Sequence, residues 1–190
     1  APFGGIVLRH ANYGCLRETL AALGVARVDG MLIDAGVSSF QLDSPERGFS
    51  FQADGPLDMR MDASGAEAPA AAWIASVSEG ELAAILRRYG DIGPAGRIAR
   101  TVVRRRDAGE LKRTGDLAQA VREALPFVKN LPEETRTVFQ AIRIAVNEEL
   151  RWLEAGLIQG IEVLNPGGRL VAIAFHSGED RIVKTVLREA

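Results

Sequence analysis

Cysteine is almost absent from this chain: Cys15 is the one thiol in 190 residues, and the two histidines, His10 and His176, lie far apart. One thiol excludes an internal disulfide and any Cys-x-x-Cys pair, and it fits a reducing compartment. Two distant imidazoles add no ligand spacing, so no metal centre is expected. A lone cysteine is more often a small buried hydrophobe than a nucleophile. No run of 18 apolar residues exists, which argues against a membrane-spanning helix. The first residues lack the charged-then-apolar order of a signal peptide, so a cytoplasmic protein is expected. Charge of one sign is also missing. The 25 acidic and 23 basic side chains leave a net charge of -2, so no global field points to a nucleic acid or membrane partner, and any basic surface has to be local. There is no internal repeat, and no GxGxxG between a strand and a helix, which weighs against a nicotinamide-dependent dehydrogenase.

What is present is ordinary globular material, 47% hydrophobic and 25% charged, enough for one core with a smaller insertion. Ile6 to Leu8 reads as a strand, reached directly from Ala1-Pro2-Phe3-Gly4-Gly5, and Leu16, Leu20 and Leu23 form one face of a helix ending at Gly24. Met31-Leu32-Ile33 is a short apolar run that stops at Asp34, with Ala35-Gly36-Val37-Ser38-Ser39 following at once. That pattern is a buried parallel strand delivering a carboxylate to its C-terminal edge, where open α/β sheets bind ligands. The bland alternative is an aspartate that only caps a turn.

From Ser38 to Ser64 no period is visible, but Phe49, Phe51, Leu57, Met59 and Met61 give this long loop apolar anchors, so it is read as a packed functional loop and not a linker. An alanine-rich start at Ala66 opens a run of short helices, carrying Leu82, Ile85, Leu86, Ile98, Val102, Leu117 and Val121, with no strand signal for some 65 residues. This predicts an all-helical subdomain over 65–130 inserted into an α/β core formed by 1–64 and 131–190. A longer helix is predicted from Glu134 to Gln159, with Phe139, Ile142, Val146, Leu150, Leu153 and Leu157 on one stripe. Asn165-Pro166-Gly167-Gly168 reads as a tight turn, Arg169 to Phe175 as a strand, His176-Ser177-Gly178-Glu179-Asp180 as a second polar edge, and Arg181 to Ala190 as a closing helix.

Several stretches together carry a resemblance. They are Asp34-Ala35-Gly36-Val37-Ser38-Ser39-Phe40-Gln41-Leu42-Asp43, Arg47-Gly48-Phe49-Ser50-Phe51, Gly55-Pro56-Leu57-Asp58-Met59-Arg60-Met61, the run from Phe139 to Leu150, Pro166-Gly167-Gly168-Arg169-Leu170, and Phe175-His176-Ser177 with Glu179-Asp180-Arg181-Ile182-Val183-Lys184. The chain resembles the bacterial 16S ribosomal RNA cytosine-N4 methyltransferases over nearly all its length. The resemblance implies a class I Rossmann-like sheet with an inserted helical subdomain. It also implies S-adenosylmethionine as cofactor, and a cytosine in the decoding region of the small ribosomal subunit as substrate. It places cofactor contacts on Tyr13, Asp34 and Gln41. The family's glycine-rich first loop and its second-strand acid fall before the first residue here, so the chain is expected to be an internal piece, lacking those cofactor contacts. Where this chain has Ala35 and Gly178 the family usually has leucine, and where it has Tyr13 usually phenylalanine.

The reaction makes its own demands. The exocyclic amine of cytosine is a poor nucleophile, so it must be aligned with the methyl donor and given an acceptor for its proton. Asp34 suits either of two roles, holding the amine-bearing end of the cofactor or accepting from the target, and the resemblance favours the first. Ser39, with Ser38, is a candidate partner for base or cofactor against the bland reading of a turn-capping hydroxyl, and the Gln41 amide can donate and accept. His176, after a strand and beside Ser177, Glu179 and Asp180, is expected to orient substrate or take part in proton removal, against the commoner role of structural hydrogen-bonder. Seven basic residues, among them Arg97, Arg100, Arg104 and Arg105, stand against Asp107 and Glu110 within 97–113, a local net of +5 that an RNA substrate turns from a solvated face into a phosphate-binding one. Arg47 and Phe49 are expected to stack on or brace unpaired bases, with Arg136 and Arg143 on the same surface. The competing class is a non-catalytic RNA-binding or assembly module. The oligomeric state, a dimer included, is left open.

Overall fold

The computed structural model describes residues 5–65, 67–127 and 132–190. The expected approach through Ala1 to Gly4, the helix start at Ala66 and the boundary at Asn130 lie outside them. The chain forms two compact units, one from residues 1–36 and 149–190, the other from 37–148.

The first unit is a small parallel β/α layer. β1 (Val28–Asp34) pairs in parallel with β2 (Leu164–Ile173), Leu32 opposite Val171 and Asp34 opposite Ile173. The helix that crosses between them, α8 (Glu149–Val163), packs on one face of the sheet together with α9 (Ser177–Glu189), and the short α1 (Leu16–Ala22) packs against α8. Ile33, Ala35, Leu153, Leu157 and Val186 are the core of this layer, with Met31, Leu170 and Ala172 against it. The alternation of a strand explains the rest: Leu32, Val171 and Ile173 point to the opposite face and are exposed. The apolar run before Asp34 is therefore buried on one side only. This mixed α/β unit with its small parallel sheet is the partial Rossmann-like arrangement expected from the sequence.

Three sequence expectations are corrected here. Ile6, Val7 and Leu8 are exposed and belong to no strand, because an apolar triplet becomes a strand only where a neighbour takes its backbone bonds. The Asn165–Gly168 turn lies inside β2 as an irregularity: Val28 faces Leu164 while Gly30 already faces Arg169, and Gly167 takes φ 82°. The helix predicted from Glu134 to Gln159 breaks into α7 (Glu134–Val146) and α8, with Glu148 left-handed at φ 48°. Its apolar stripe is divided accordingly, Phe139, Ile142 and Val146 serving one core, Leu153 and Leu157 the other.

The second unit is helical. After α2 (Ser39–Asp43) and a loop, α3 (Ala70–Ser76), α4 (Glu79–Gly90), α5 (Ala95–Asp107), α6 (Thr114–Ala124) and α7 pack around Ile74, Leu82, Leu86, Ile98, Val102, Leu117, Val121, Val138 and Ile142. The unit is wider than the predicted 65–130, and the core shows why: Phe49, Leu57 and Met59 from the loop and Val138, Phe139, Ala141, Ile142 and Val146 from α7 are buried in it. α4 begins with a capping box in which Ser78 Oγ accepts from the Glu81 amide and Glu81 accepts in return. The loop is tied to α7 by Asn147, whose Oδ1 accepts from Met61 N at 2.7 Å and whose Nδ2 donates to Met59 O at 2.7 Å.

Candidate active-site edge and the family it belongs to

The C-terminal edge of the parallel pair is the place where the first unit concentrates polar groups. β1 delivers Asp34 to this edge, and the Ala35 amide still donates to Ile173 O at 3.2 Å before Gly36 turns the chain at φ 91°. Asp34 is exposed, and among the described residues nothing hydrogen-bonds its carboxylate or pairs with it.

On the neighbouring strand end the polar groups are occupied. His176 is the N-cap of α9: its Nδ1 accepts from the amides of Gly178 at 3.1 Å and Glu179 at 3.3 Å, while Glu179 reaches back as the N3 partner of a capping box. Its Nε2 is buried, 3.2 Å from Glu179 Oε1 and off the line of a good hydrogen bond. His176, expected to orient substrate or take part in proton removal, stands in this structure as a helix cap. The lone pair that a base would use is already shared between two helix amides. Glu179 itself is 2% exposed, and its Oε2 accepts from Phe175 N at 2.7 Å and His176 N at 3.3 Å. Burial pushes this carboxyl up, but the His176 ring and the Phe175 amide outweigh it and hold the pKa below the ordinary glutamate value.

Tyr13 is placed by the turn Tyr13–Cys15. Asn12 Oδ1 accepts from Gly14 N at 2.8 Å, and Gln159 of α8 donates to Gly14 O. The turn lies so close to α8 that a Cβ on Gly14 would sit 2.4 Å from Trp152 Cε3, and one on Gly156 would sit 2.7 Å from Tyr13 Cδ2. The Tyr13 ring thus rests on a glycine of the helix. Burial first, then the charges of Glu149 and Glu179, push its phenol up to about 12, so it stands beside Asp34's unit as a neutral donor at any physiological pH. Tyr13, Asp34 and His176 all belong to this first unit.

The other expected residues belong to the second unit. Gln41 and Ser38 close a capping box on α2, Gln41 Oε1 accepting from Ser38 N at 2.9 Å, and among the described residues Gln41 Nε2 and the exposed Ser39 hydroxyl have no hydrogen-bond partner. Phe49 is 5% exposed in the core, so it presents no face to a base, and that expectation is corrected. Arg47 stacks over Phe49 at 5.6 Å and donates to Arg60 O and Met61 O, both at 2.8 Å, as a brace of the loop. Along α5, Arg97, Arg100 and Arg104 are exposed at helical spacing, Arg100 facing Glu79 at 3.5 Å and Arg104 Glu123 at 2.7 Å. Arg105, by contrast, is largely buried between Glu123 and Glu110, because it points from α5 toward α6 and not outward. Arg136 is exposed on α7 and Arg143 half-buried. Phe175, Glu179 and Asn147 were not among the expected site residues. The His-x-x-Glu spacing of a capping box was the readable signal for Glu179.

The model of the MraW methylase family matches residues 2–190. The chain belongs to the MraW methylase family. Curated relatives agree in name. The ribosomal RNA small subunit methyltransferase H of Methylibium petroleiphilum is 51% identical over 181 residues, 95% of this chain and 57% of that protein. Those of Geotalea daltonii, 49% identical over 192 residues, and Nitratidesulfovibrio vulgaris, 51% over 195, cover 99% and 100% of this chain, and 61% and 54% of their own lengths. The chain therefore spans little more than half the length of these MraW-family relatives. Among its described residues no helix is long and apolar enough to cross a membrane.

Proposed function

We propose that the full-length protein transfers a methyl group from S-adenosylmethionine to the N4 amine of a cytosine in the decoding region of 16S ribosomal RNA, acting on the small ribosomal subunit in the cytoplasm. The observation that carries the reading is Asp34, an exposed carboxylate without a partner among the described residues, delivered by a parallel strand to the sheet edge of a chain in the methylase family. Relatives named as small-subunit ribosomal RNA methyltransferases support the substrate.

The donor set suits the cofactor. A carboxylate is acceptor-only, so Asp34 takes N–H donors. Tyr13 offers an apolar ring and a neutral hydroxyl. Within the first unit, Tyr13 and Asp34 are the residues that would hold it. When bound, the cofactor supplies an activated methyl on a positively charged sulfur.

The chain's own part is positioning and proton management. As the N4 nitrogen gains the methyl its N–H bond breaks, and the Asp34 carboxylate takes the proton. His176 and Glu179 do not exchange protons with substrate; they fix the end of β2 and the start of α9 on which that geometry depends. Ser39 and Gln41 Nε2 hydrogen-bond nucleotide or cofactor. Arg97, Arg100, Arg104 and Arg136 bind phosphates, a sequence-independent attraction that weakens steeply with salt. Asp34→Asn tests the reading. The amide keeps the shape and loses the charge, and methyl transfer by the full-length protein falls by about a hundredfold or more, within the range general-base groups contribute; wild-type rates in that variant would refute Asp34's role.

A further inference from the structure

One large aromatic side chain at the edge is left uncovered. Phe175 follows β2 and is 70% exposed, although phenylalanine is among the residues most often buried. Its backbone is not loose. Its amide donates to Glu179 Oε2 at 2.7 Å, and that carboxylate is buried within the first turn of α9. The ring stands beside the turn that follows Asp34: a Cβ built on Gly36 would lie 3.6 Å from Phe175 Cδ2, and Gly36 carries no side chain to cover the ring. Asp34 lies on the same sheet face as Ile173, with which it pairs, and Phe175 follows two residues after the end of that strand, beside the turn that leaves Asp34.

An exposed aromatic ring beside the turn that follows a carboxylate acceptor matches a nucleobase that has a π-face and an amine. Cytosine presents N4–H donors, and Asp34 offers only acceptors. Enzymes that act on a base take it out of its stack, and aromatic side chains hold such unpaired bases by stacking. We propose that Phe175 is the platform on which the target cytosine stacks, with its amine toward Asp34. This deepens the methyltransferase reading, on which it rests, by naming the side chain that binds the reacting base. The competing occupant is a protein segment covering Phe175 together with the aliphatic Leu32, Val171 and Ile173 behind it.

The test uses the full-length protein and three variants. Phe175→Leu keeps an apolar side chain without the ring, Phe175→Tyr keeps the ring, and Phe175→Trp reports on it. Thermal midpoint, KM and kcat are measured with unmethylated small subunits, and the tryptophan variant is titrated with cytidine monophosphate against wild type, which has Trp73 and Trp152. The expected result is a fall in kcat/KM of about tenfold or more for Phe175→Leu with an unchanged midpoint, as loss of one stacked base implies. Phe175→Tyr restores the rate, and the nucleotide quenches the Phe175→Trp signal saturably while wild type stays constant. A lowered midpoint in Phe175→Leu with unchanged kcat/KM, or a Phe175→Trp signal indifferent to the nucleotide, overturns the platform. Absence of methylated product from wild type would refute the methyltransferase reading instead, and the nucleotide titration then decides the platform by itself.

Discussion

Asn147→Ala should destabilise the second unit more than any surface substitution in it. The side chain joins two segments far apart in sequence: Oδ1 accepts from Met61 N at 2.7 Å, and Nδ2 donates to Met59 O at 2.7 Å and to Arg143 O at 2.8 Å. Truncation leaves Arg143 O with its backbone bond from Asn147 N at 3.1 Å, so the loss falls on the two loop groups. Each partly buried group left without a partner costs about 1–3 kcal/mol. Met59 is fully buried and left-handed at φ 61°, a conformation that costs a β-carbon residue about 1–3 kcal/mol and persists only while its surroundings hold it. A total near 3 kcal/mol is a midpoint drop of roughly 6–12 °C for a chain of this size. Thermal and urea unfolding of wild type, Asn147→Ala and Asn147→Asp measure it. The aspartate keeps the acceptor for Met61 but sets an oxygen against the carbonyls of Met59 and Arg143, so at neutral pH it should be no better than alanine. An Asn147→Ala protein within about 0.5 kcal/mol of wild type, the usual range of inert surface changes, would refute the latch.

Other outcomes follow from the same structure. Because the Glu179 pKa is lowered in the folded chain from an ordinary 4.5, its contribution is complete above that value and is lost as pH falls through the folded pKa; Glu179→Gln should flatten this acid limb in urea titrations. The Tyr13 phenol, raised from 10.0 to about 12, keeps its proton where the unfolded chain has lost it, so stability should decline as pH rises across that window, and ultraviolet titration of a Tyr89→Phe variant should show no tyrosinate below it. Gly14→Ala forces a methyl to within 2.4 Å of Trp152 and should cost about 1–3 kcal/mol in chemical unfolding, as overpacking does. Arg97→Ala with Arg100→Ala should weaken RNA binding by the full-length protein and reduce its salt slope by about 2, one for each phosphate contact; an unchanged slope would remove α5 from the RNA surface.

The parts of the fold that were legible are those where local pattern and tertiary role coincide. Met31-Leu32-Ile33 before Asp34 showed a strand and its polar end, and Leu82, Leu86, Ile98, Val102, Leu117 and Val121 showed helices with one buried face. The break at Asn147 was not legible, because the apolar stripe runs through it without a glycine or proline. What ends α7 is a side chain recruited by Met59 and Met61, nearly ninety positions earlier in sequence. The same kind of distant demand decided the site. His176 looked like a base because it follows a strand beside acids, yet those acids include its own capping partner, Glu179. Phe49 looked available for stacking because it sits in a long polar loop, whereas the loop folds inward onto α7 and takes the ring with it. Exposure is a tertiary property, and for the same reason Phe175, which reads as one more apolar strand residue, became visible only in the structure.

The central claim is that the edge carrying Asp34 serves methylation of a cytosine amine. It is tested most directly by incubating unmethylated small ribosomal subunits with the full-length protein and methyl-labelled S-adenosylmethionine, then digesting the RNA to nucleosides. Label in N4-methylcytidine, lost in Asp34→Asn, is the predicted result. Label in another nucleoside, or none in RNA while the protein still binds the subunit, would contradict it.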